Sequence, residues 1–206
     1  MQLTLLKPNI EVDEIVEKWE LFTKIVNNEK PDYRLITAEA WDRCRNMNID
    51  SFKPEFKFLS KPDLKKKIKN NRYLIKTARS FMNQLSLSYG DIPHTVALSD
   101  KEGWILELVG RTEHFGGREN GFDPGISWTE ECLGNNGIGT ALKLKKNVFV
   151  YGPEHFIKKY HSVACLGICI SDENNELLGA LDVSVPVEYI TPERINLAMA
   201  IIKTLE

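Results

Sequence analysis

Apolar residues recur every three or four positions towards both ends of the chain and every second position in parts of its middle. The first pattern is that of helices and the second that of strands. Ile15, Trp19, Phe22 and Val26 predict an amphipathic helix over residues 11–26. Asn27 to Tyr33 is a polar break containing Pro31, after which Thr37 is placed to cap a short helix, AEAWDRCR, with Trp41 and Cys44 on one side. Phe52, Phe56 and Phe58 stand in a Lys- and Pro-rich connector and read as anchors for an irregular segment. The longest helix is expected from Pro62 to Tyr89. There Leu64, Ile68, Asn71, Ile75, Ala78, Met82, Leu85 and Tyr89 alternate spacings of four and three, a heptad seam. A partner helix from a second chain would explain the seam, with Asn71 fixing register. Packing on the molecule's own sheet is the alternative, favoured over part of the length by the extra apolar width of Leu74 and Phe81.

Strands follow. His94, Val96 and Leu98 alternate with Thr95, Ala97 and Ser99, and Asp100 to Gly103 turns the chain into a return strand from Trp104 to Val109. Gly110 to Pro124 is a long, polar, glycine-rich loop, a length that usually accompanies function. Residues 125–152 then predict a helix start, a glycine break, a second short helix and a strand. Ser127 and Glu130 have the spacing of a capping box, Gly134 can stop the first helix, and Asn135 to Thr140 restart it. Val148 to Tyr151 reads as a strand closed by Gly152 and Pro153, and Glu154 to Tyr160 as a short helix. Val163–Ile170 and Leu177–Val185 are two apolar strands joined by the turn-forming SDENNE. Thr191 caps a last helix with Pro192 at its first position and Ile195, Met199 and Ile202 on its apolar side. This order predicts the α+β class, an antiparallel sheet with helices on its faces.

Composition adds limits. With 206 residues, 42% apolar and 27% charged, the chain is long enough for one domain with a full core and extra helices. A net charge of −2 argues against nucleic-acid binding by the chain as a whole. Lys53 to Arg79 nonetheless holds ten basic residues against Glu55 and Asp63, with KKKIKNNR reading as a solvated helix face. No apolar run approaches membrane-spanning length and the start lacks a signal-peptide pattern, so a cytoplasmic protein without membrane contact is expected. Cys44, Cys132, Cys165 and Cys169 are spread out and read as reduced thiols.

Candidate chemistry is sparse. His155, His161 and Cys165 invite a metal reading, but their spacing matches no zinc signature, and packing roles are preferred. GNNGIGT lacks the lysine of a phosphate loop, although a helix N-terminus there could hold an anion or a polar oxygen. Trp104, Phe115, Trp128 and Phe156 could line a pocket or fill a core. Cys165 and Cys169 are evenly separated on a strand and face the same side, which disfavours a catalytic thiol pair. No cofactor is called for.

ISWTEECLGNNGIGTAL, VYGPEHF and HSVACLGICISDENNELLGALDVS, preceded by AWDRCRNMNID, together resemble the N-terminal sensor of bacterial sigma-54-dependent transcriptional activators, of the type that regulates acetoin and glycerol catabolism. The likeness runs from about Ala38 to Ser184. It implies a GAF domain, here expected over 61–206 behind an N-terminal helical extension over 1–60. In such regulators the sensor is followed by an ATPase that remodels the sigma-54 polymerase and by a DNA-binding module. No Walker loop occurs here, and the expectation is therefore a front segment whose last helix serves as a linker. The family has Thr where this chain has Asn135. With the resemblance, the expected mechanism is a small polar metabolite bound between the sheet and a lid over 110–161 and a population shift passed on through the long and terminal helices; the heptad seam predicts a homodimer through the 62–89 helix. By location and polarity the expected ligand contacts are His114, Trp128, Asn136, Thr140, His155 and His161. Two other classes stay open: a Cys-dependent GAF enzyme such as a methionine sulfoxide reductase, and a pure dimerisation module.

Overall fold

A computed structural model describes residues 12–24 and 35–202. Its centre is an antiparallel five-stranded sheet in the order β2-β1-β5-β4-β3. The strands are β1 Thr95–Asp100, β2 Ile105–Gly110, β3 Val148–Tyr151, β4 Val163–Ser171 and β5 Leu177–Pro186. Strand β5 is central: Leu98 of β1 and Ile168 of β4 both pair with its Leu181. The strand alternation sorts side chains onto two buried faces. On one face Val96, Leu98, Leu166, Leu181 and Val183 meet Leu74, Ile75, Met82 and Leu85 of helix α4 (Arg72–Tyr89), with Ala198 of α7 (Pro192–Ile202) beside them. On the other, Ala97, Ile105, Val150, Cys165 and Ala180 meet Ile138 and Ala141 of α6 (Gly137–Leu144) together with Phe115, Phe122 and Trp128. The class is thus α+β, as the pattern of the chain predicts.

The expected long helix is interrupted. Helix α3 runs over Lys61–Asn70 and α4 begins at Arg72, with Asn71 between them at φ −100°, ψ 19°. The Asn71 side-chain amide donates to the Lys67 carbonyl at 2.9 Å, which offers the backbone an alternative to its helical bonds. The seam divides accordingly: Ile75, Ala78, Met82, Leu85 and Tyr89 are buried on the molecule's own sheet, whereas Ile68 on α3 is 39% exposed.

Helices α1 (Val12–Lys24) and α2 (Leu35–Asn46) sit on the segment after β3. Trp19, Trp41, Cys44 and Phe156 form their own apolar cluster. The Trp41 indole N–H donates to the Glu154 carbonyl at 2.7 Å, and that of Trp19 to the Phe156 carbonyl at 2.9 Å. These bonds explain why Glu154 to Tyr160 is not the predicted helix. Carbonyls needed for helical bonds are given to indoles, and the segment makes two separate 3-10 turns, Gly152–Glu154 and Lys158–Tyr160. Thr37 lies inside α2, which starts at Leu35, and instead of capping it donates its hydroxyl to Glu154 Oε1 at 3.0 Å. Of the connector phenylalanines, Phe52 and Phe58 are exposed, so they do not anchor that segment in the core. The side chains of Phe22, Ile195, Met199 and Ile202, together with Val26 and the Asn27–Tyr33 break, lie outside what the structure describes. At the last helix the Arg194 N–H does reach Thr191 Oγ1, at 3.4 Å, in the expected cap.

Candidate functional site

The predicted glycine break is formed. Helix α5 (Glu130–Leu133) ends at Gly134 with φ 63°, and α6 starts behind Asn136, whose side chain accepts from Gly139 N–H at 2.8 Å. The capping box is not formed. Thr129 is the N-cap of α5, and the Glu130 carboxylate accepts from Arg43 Nε and Nη2, each at 2.7 Å, and from the Thr140 hydroxyl at 2.8 Å. A bidentate guanidinium satisfies a buried carboxylate better than one backbone N–H does. The result ties α2 to the α5–α6 join.

Helix α6 enters close to the sheet. The Gly137 backbone lies against β4 and β5: a Cβ on Gly137 would come within 1.8 Å of Asp182 Oδ1, and one on Gly167 within 1.9 Å of the Gly137 carbonyl. Only two glycines permit this approach. Beneath it, between the sheet and the 112–128 segment, is a cavity with about 10 Å³ open to the centre of a water molecule. That is room for about one water. Ala97, Ile105 and Leu108 form its sheet wall, Gly121, Phe122 and Trp128 its outer wall, and Ile138 and Asp182 its side towards α6. Phe122 and Trp128 pack edge-on at 5.2 Å between ring centroids, and the Trp128 indole donates to the Gly121 carbonyl at 2.7 Å.

Asp182 is the one ionisable group in this wall, and it is 2% exposed. Its Oδ2 accepts the Ser184 hydroxyl at 2.5 Å, while Oδ1 has no hydrogen-bond partner. Burial raises its pKa to about 7, against the lesser opposing effects of Ser184 and Cys165. The Cys165 sulfur lies 3.3 Å from Ser184 Oγ, and burial, together with the Asp182 charge, pushes this thiol well above its ordinary range. Strand β5 explains the placement. In LLGALDVSVP the residues Ala180, Asp182 and Ser184 share the α6 face, and Leu181, Val183 and Val185 the α4 face. Sequence reading did not single out Asp182; a carboxylate at a core position of a central strand is the signal that could have found it.

Among the residues expected from the sequence, Trp128 lines the cavity. Asn136 and Thr140 are buried at the α5–α6 join with their polar atoms engaged: Asn136 Nδ2 donates to the Gly134 carbonyl at 2.8 Å, and Thr140 Oγ1 accepts the Asn136 N–H at 3.2 Å. His155 and His161 form a second locus under the N-terminal helices. His155 Nδ1 donates to the Gly152 carbonyl at 2.9 Å, which leaves Nε2 as a buried acceptor without a partner. His161 Nε2 donates to the His155 carbonyl at 3.1 Å, and its ring stands edge-on to Trp19 at 4.6 Å. Burial lowers both imidazoles to about 4. His114 is on the outer loop with its side chain 50% exposed. No cluster of three or more His, Cys, Asp or Glu able to hold a metal ion occurs among the described residues. Cys44, Cys132 and Cys165 are buried and Cys169 half-buried, and burial pushes Cys44 up to about 12 and Cys169 to about 11. Reactive thiols have the opposite environment. No helix of the described residues is long and apolar enough to cross a membrane.

Comparison with known proteins bears on the fold and the family. The chain is 27% identical over 188 residues to the acetoin dehydrogenase operon transcriptional activator AcoR of Bacillus subtilis (strain 168), covering 90% of this chain and 31% of that protein. It is 26% identical over 159 residues to the propane 2-monooxygenase operon transcriptional activator MimR of Mycolicibacterium smegmatis, covering 74% of this chain and 26% of the relative. The chain therefore spans less than a third of the length of these relatives. The fold is that of DhaR(N) in the E. coli DhaR(N)–DhaL complex, with a TM-score of 0.76 at 16% identity over 84% of this chain and 59% of that one. This is the GAF-like arrangement of helices on an antiparallel sheet. The profile of the MimR N-terminal domain matches residues 29–204, and the chain belongs to that family.

Proposed function

We propose that this chain is the small-molecule sensor of a bacterial transcriptional activator, and that a small polar metabolite occupies the cavity between the sheet and the 112–128 segment. The observation that carries the reading is a small, partly open apolar cavity with two aromatic side chains and a single buried carboxyl, in a domain of a family named for an activator's N-terminus. Trp128 is the ligand contact retained from the sequence. The cavity's sheet strand β1 carries Ala97 towards the ligand and Val96 and Leu98 towards α4. Occupancy can therefore bias the packing of α4 and α7, a population shift that the rest of the protein reads. Sigma-54 polymerase and DNA would be engaged by parts of a longer protein outside these 206 residues, in the cytoplasm.

A homodimer belongs to the same proposal. Tyr73 and Leu87 on α4 are 78% and 81% exposed, on the side of the helix pair that the sheet does not cover. The burial of Cys44 and Cys165 speaks against the thiol-enzyme alternative. The test is a thermal-shift screen against small alcohols, ketones, amines and organic acids, with the mass measured by sedimentation. A ligand confined to the folded state raises the midpoint. A rise with one chemical class, in a dimer that Leu87→Lys with Tyr73→Lys dissociates, is the expected result. A monomer without response to any class would refute the proposal.

A further inference from the structure

We propose that helix α3 is the output lever of the sensor: movement of the cavity's outer wall passes through residues 57–59 to α3, which turns about Asn71. This rests on the sensor reading and adds the route by which the site reports its state. None of the ten side chains of α3 is buried, so the core does not fix this helix. It starts behind Ser60, whose hydroxyl accepts the Asp63 N–H at 3.2 Å. It ends at Asn71, in the sparsely populated bridge region at φ −100°, ψ 19°, where the helix breaks before the buried α4. A short helix between a cap and a break, without a buried face, is placed by its ties to neighbouring segments.

Those ties lead to two places. Lys67 Nζ, 2.6 Å from both Asp100 Oδ2 and Glu102 Oε2, clasps α3 to the β1–β2 turn. Just before α3, residues 57–59 pair with residues 125–127: the Ser127 N–H donates to the Lys57 carbonyl at 3.1 Å and the Leu59 N–H to the Gly125 carbonyl at 2.8 Å. Leu64 of α3 stands over Gly125, with Cδ2 3.4 Å from where a Cβ there would lie. Residues 125–127 are the continuation of the 112–124 wall towards Trp128.

The wall itself is latched by weak bonds. Three consecutive carbonyls, of Glu119, Asn120 and Gly121, accept from Lys159 Nζ at 3.2 Å, the Tyr160 hydroxyl at 3.2 Å and the Trp128 indole at 2.7 Å. Phe56 and the Tyr160 hydroxyl back onto Gly121, 2.8 Å and 3.1 Å from the place of a Cβ. A cavity with room for about one water accepts a larger occupant only when this wall moves outward. Phe56 stands in its path, and α3 follows Phe56 and the 57–59 pairing directly in the chain. The break at Asn71 lets α3 turn while Leu74, Ile75, Ala78 and Met82 of α4 stay in the core. Wall and clasp then act on one element, and their coupling is reciprocal.

Hydrogen exchange of the whole chain, read by mass spectrometry, tests the coupling without a ligand. Tyr160→Phe removes one latch of the wall, and Lys67→Met removes the clasp. Tyr160→Phe should speed exchange about fivefold in 112–124 and speed it in 61–70 as well, and Lys67→Met should speed both by about threefold, with β5 unchanged in each. Arg79→Met removes the 2.7 Å pair with Glu107, off the proposed route, and should leave both segments as they are. A response confined to the nearer segment overturns the lever, as does an equal response of both segments to Arg79→Met. If one variant does not fold, the other decides, since each is read at the far segment. Propan-2-ol, propanone, propylamine and propanoate, one for each screened class, separate this from the sensor reading. A probe that raises the midpoint and slows or speeds exchange in 112–124 but not in 61–70 overturns the lever and leaves the sensor reading standing. Far-segment responses to both substitutions, with no midpoint rise for any probe or screened compound, keep the coupling of wall to α3 and remove the sensor reading.

Discussion

Replacing Asp182 by Asn should change how stability depends on pH, whatever the ligand. The folded carboxyl titrates at about 7, raised by burial from 3.8. Between these values the folded chain holds a proton that the unfolded chain has released. Stability from this group is therefore fully present at the acid end of the window and declines as pH rises through 7, above which it is lost. At 1.36 kcal/mol per unit the whole window is worth about 4 kcal/mol, and roughly 2.5 kcal/mol of it falls between pH 5 and pH 8. Asn keeps the shape and cannot ionise. Urea unfolding of both chains from pH 5 to pH 8.5 should give curves that diverge with rising pH, with the variant gaining about 2.5 kcal/mol relative to the parent. Groups common to both chains cancel in that difference. The fixed cost of an amide N–H beside Gly137 shifts the variant by a constant and does not alter the divergence. Parallel curves would refute the assignment of a buried, near-neutral titration to Asp182.

Other expectations concern the scaffold. Arg43→Ala leaves the buried Glu130 carboxylate without its guanidinium and should cost about 3 kcal/mol in urea unfolding. A loss below about 0.5 kcal/mol would mean that this pair does not hold α2 to the α5–α6 join. Gly137→Ala places a Cβ 1.8 Å from Asp182 Oδ1 and 3.0 Å from Cys165 Cβ. It should destabilise by about 2 kcal/mol or more and perturb the Cys165 environment, and an unchanged melting midpoint would contradict the close approach. His155→Gln should flatten the acid limb. The parent's stability from this buried imidazole is complete above 6.5 and is lost as pH falls towards about 4, a contribution on the order of 3 kcal/mol. Identical acid limbs in circular dichroism would refute it.

The α+β class, the five strands, the glycine break at Gly134 and the last helix's cap at Thr191 were all legible in residue order. They depend on contacts among neighbours: alternation along one strand, spacing along one helix, a turn that only Gly makes cheaply. The resemblance carried by residues 126–142 and 161–184 added the family. What failed was every local motif whose polar side chain had a distant partner. Glu130 left its capping box for Arg43, 87 positions away, and Thr37 left its cap for Glu154, 117 positions away. The 154–160 helix gave its carbonyls to Trp19 and Trp41. Local bonds are weak and solvent-exposed alternatives exist for them, whereas a buried carboxylate or indole must be satisfied.

The cavity shows the same division. Trp128 was visible as an aromatic residue beside a glycine-rich stretch, whereas Asp182 was not among the expected residues, although an Asp among apolar strand residues is a signal that could have found it. That the two face one water-sized space follows from Gly137 and Gly167, which let α6 settle on β4 and β5, and from Ser184, which engages one carboxylate oxygen and leaves the other open. Sequence by itself determined which residues alternate and where the backbone can turn, because those preferences act within a few bonds. Tertiary structure alone decided which buried polar atoms find partners and which, such as His155 Nε2 and Asp182 Oδ1, do not, because that depends on groups the chain brings together from distant positions.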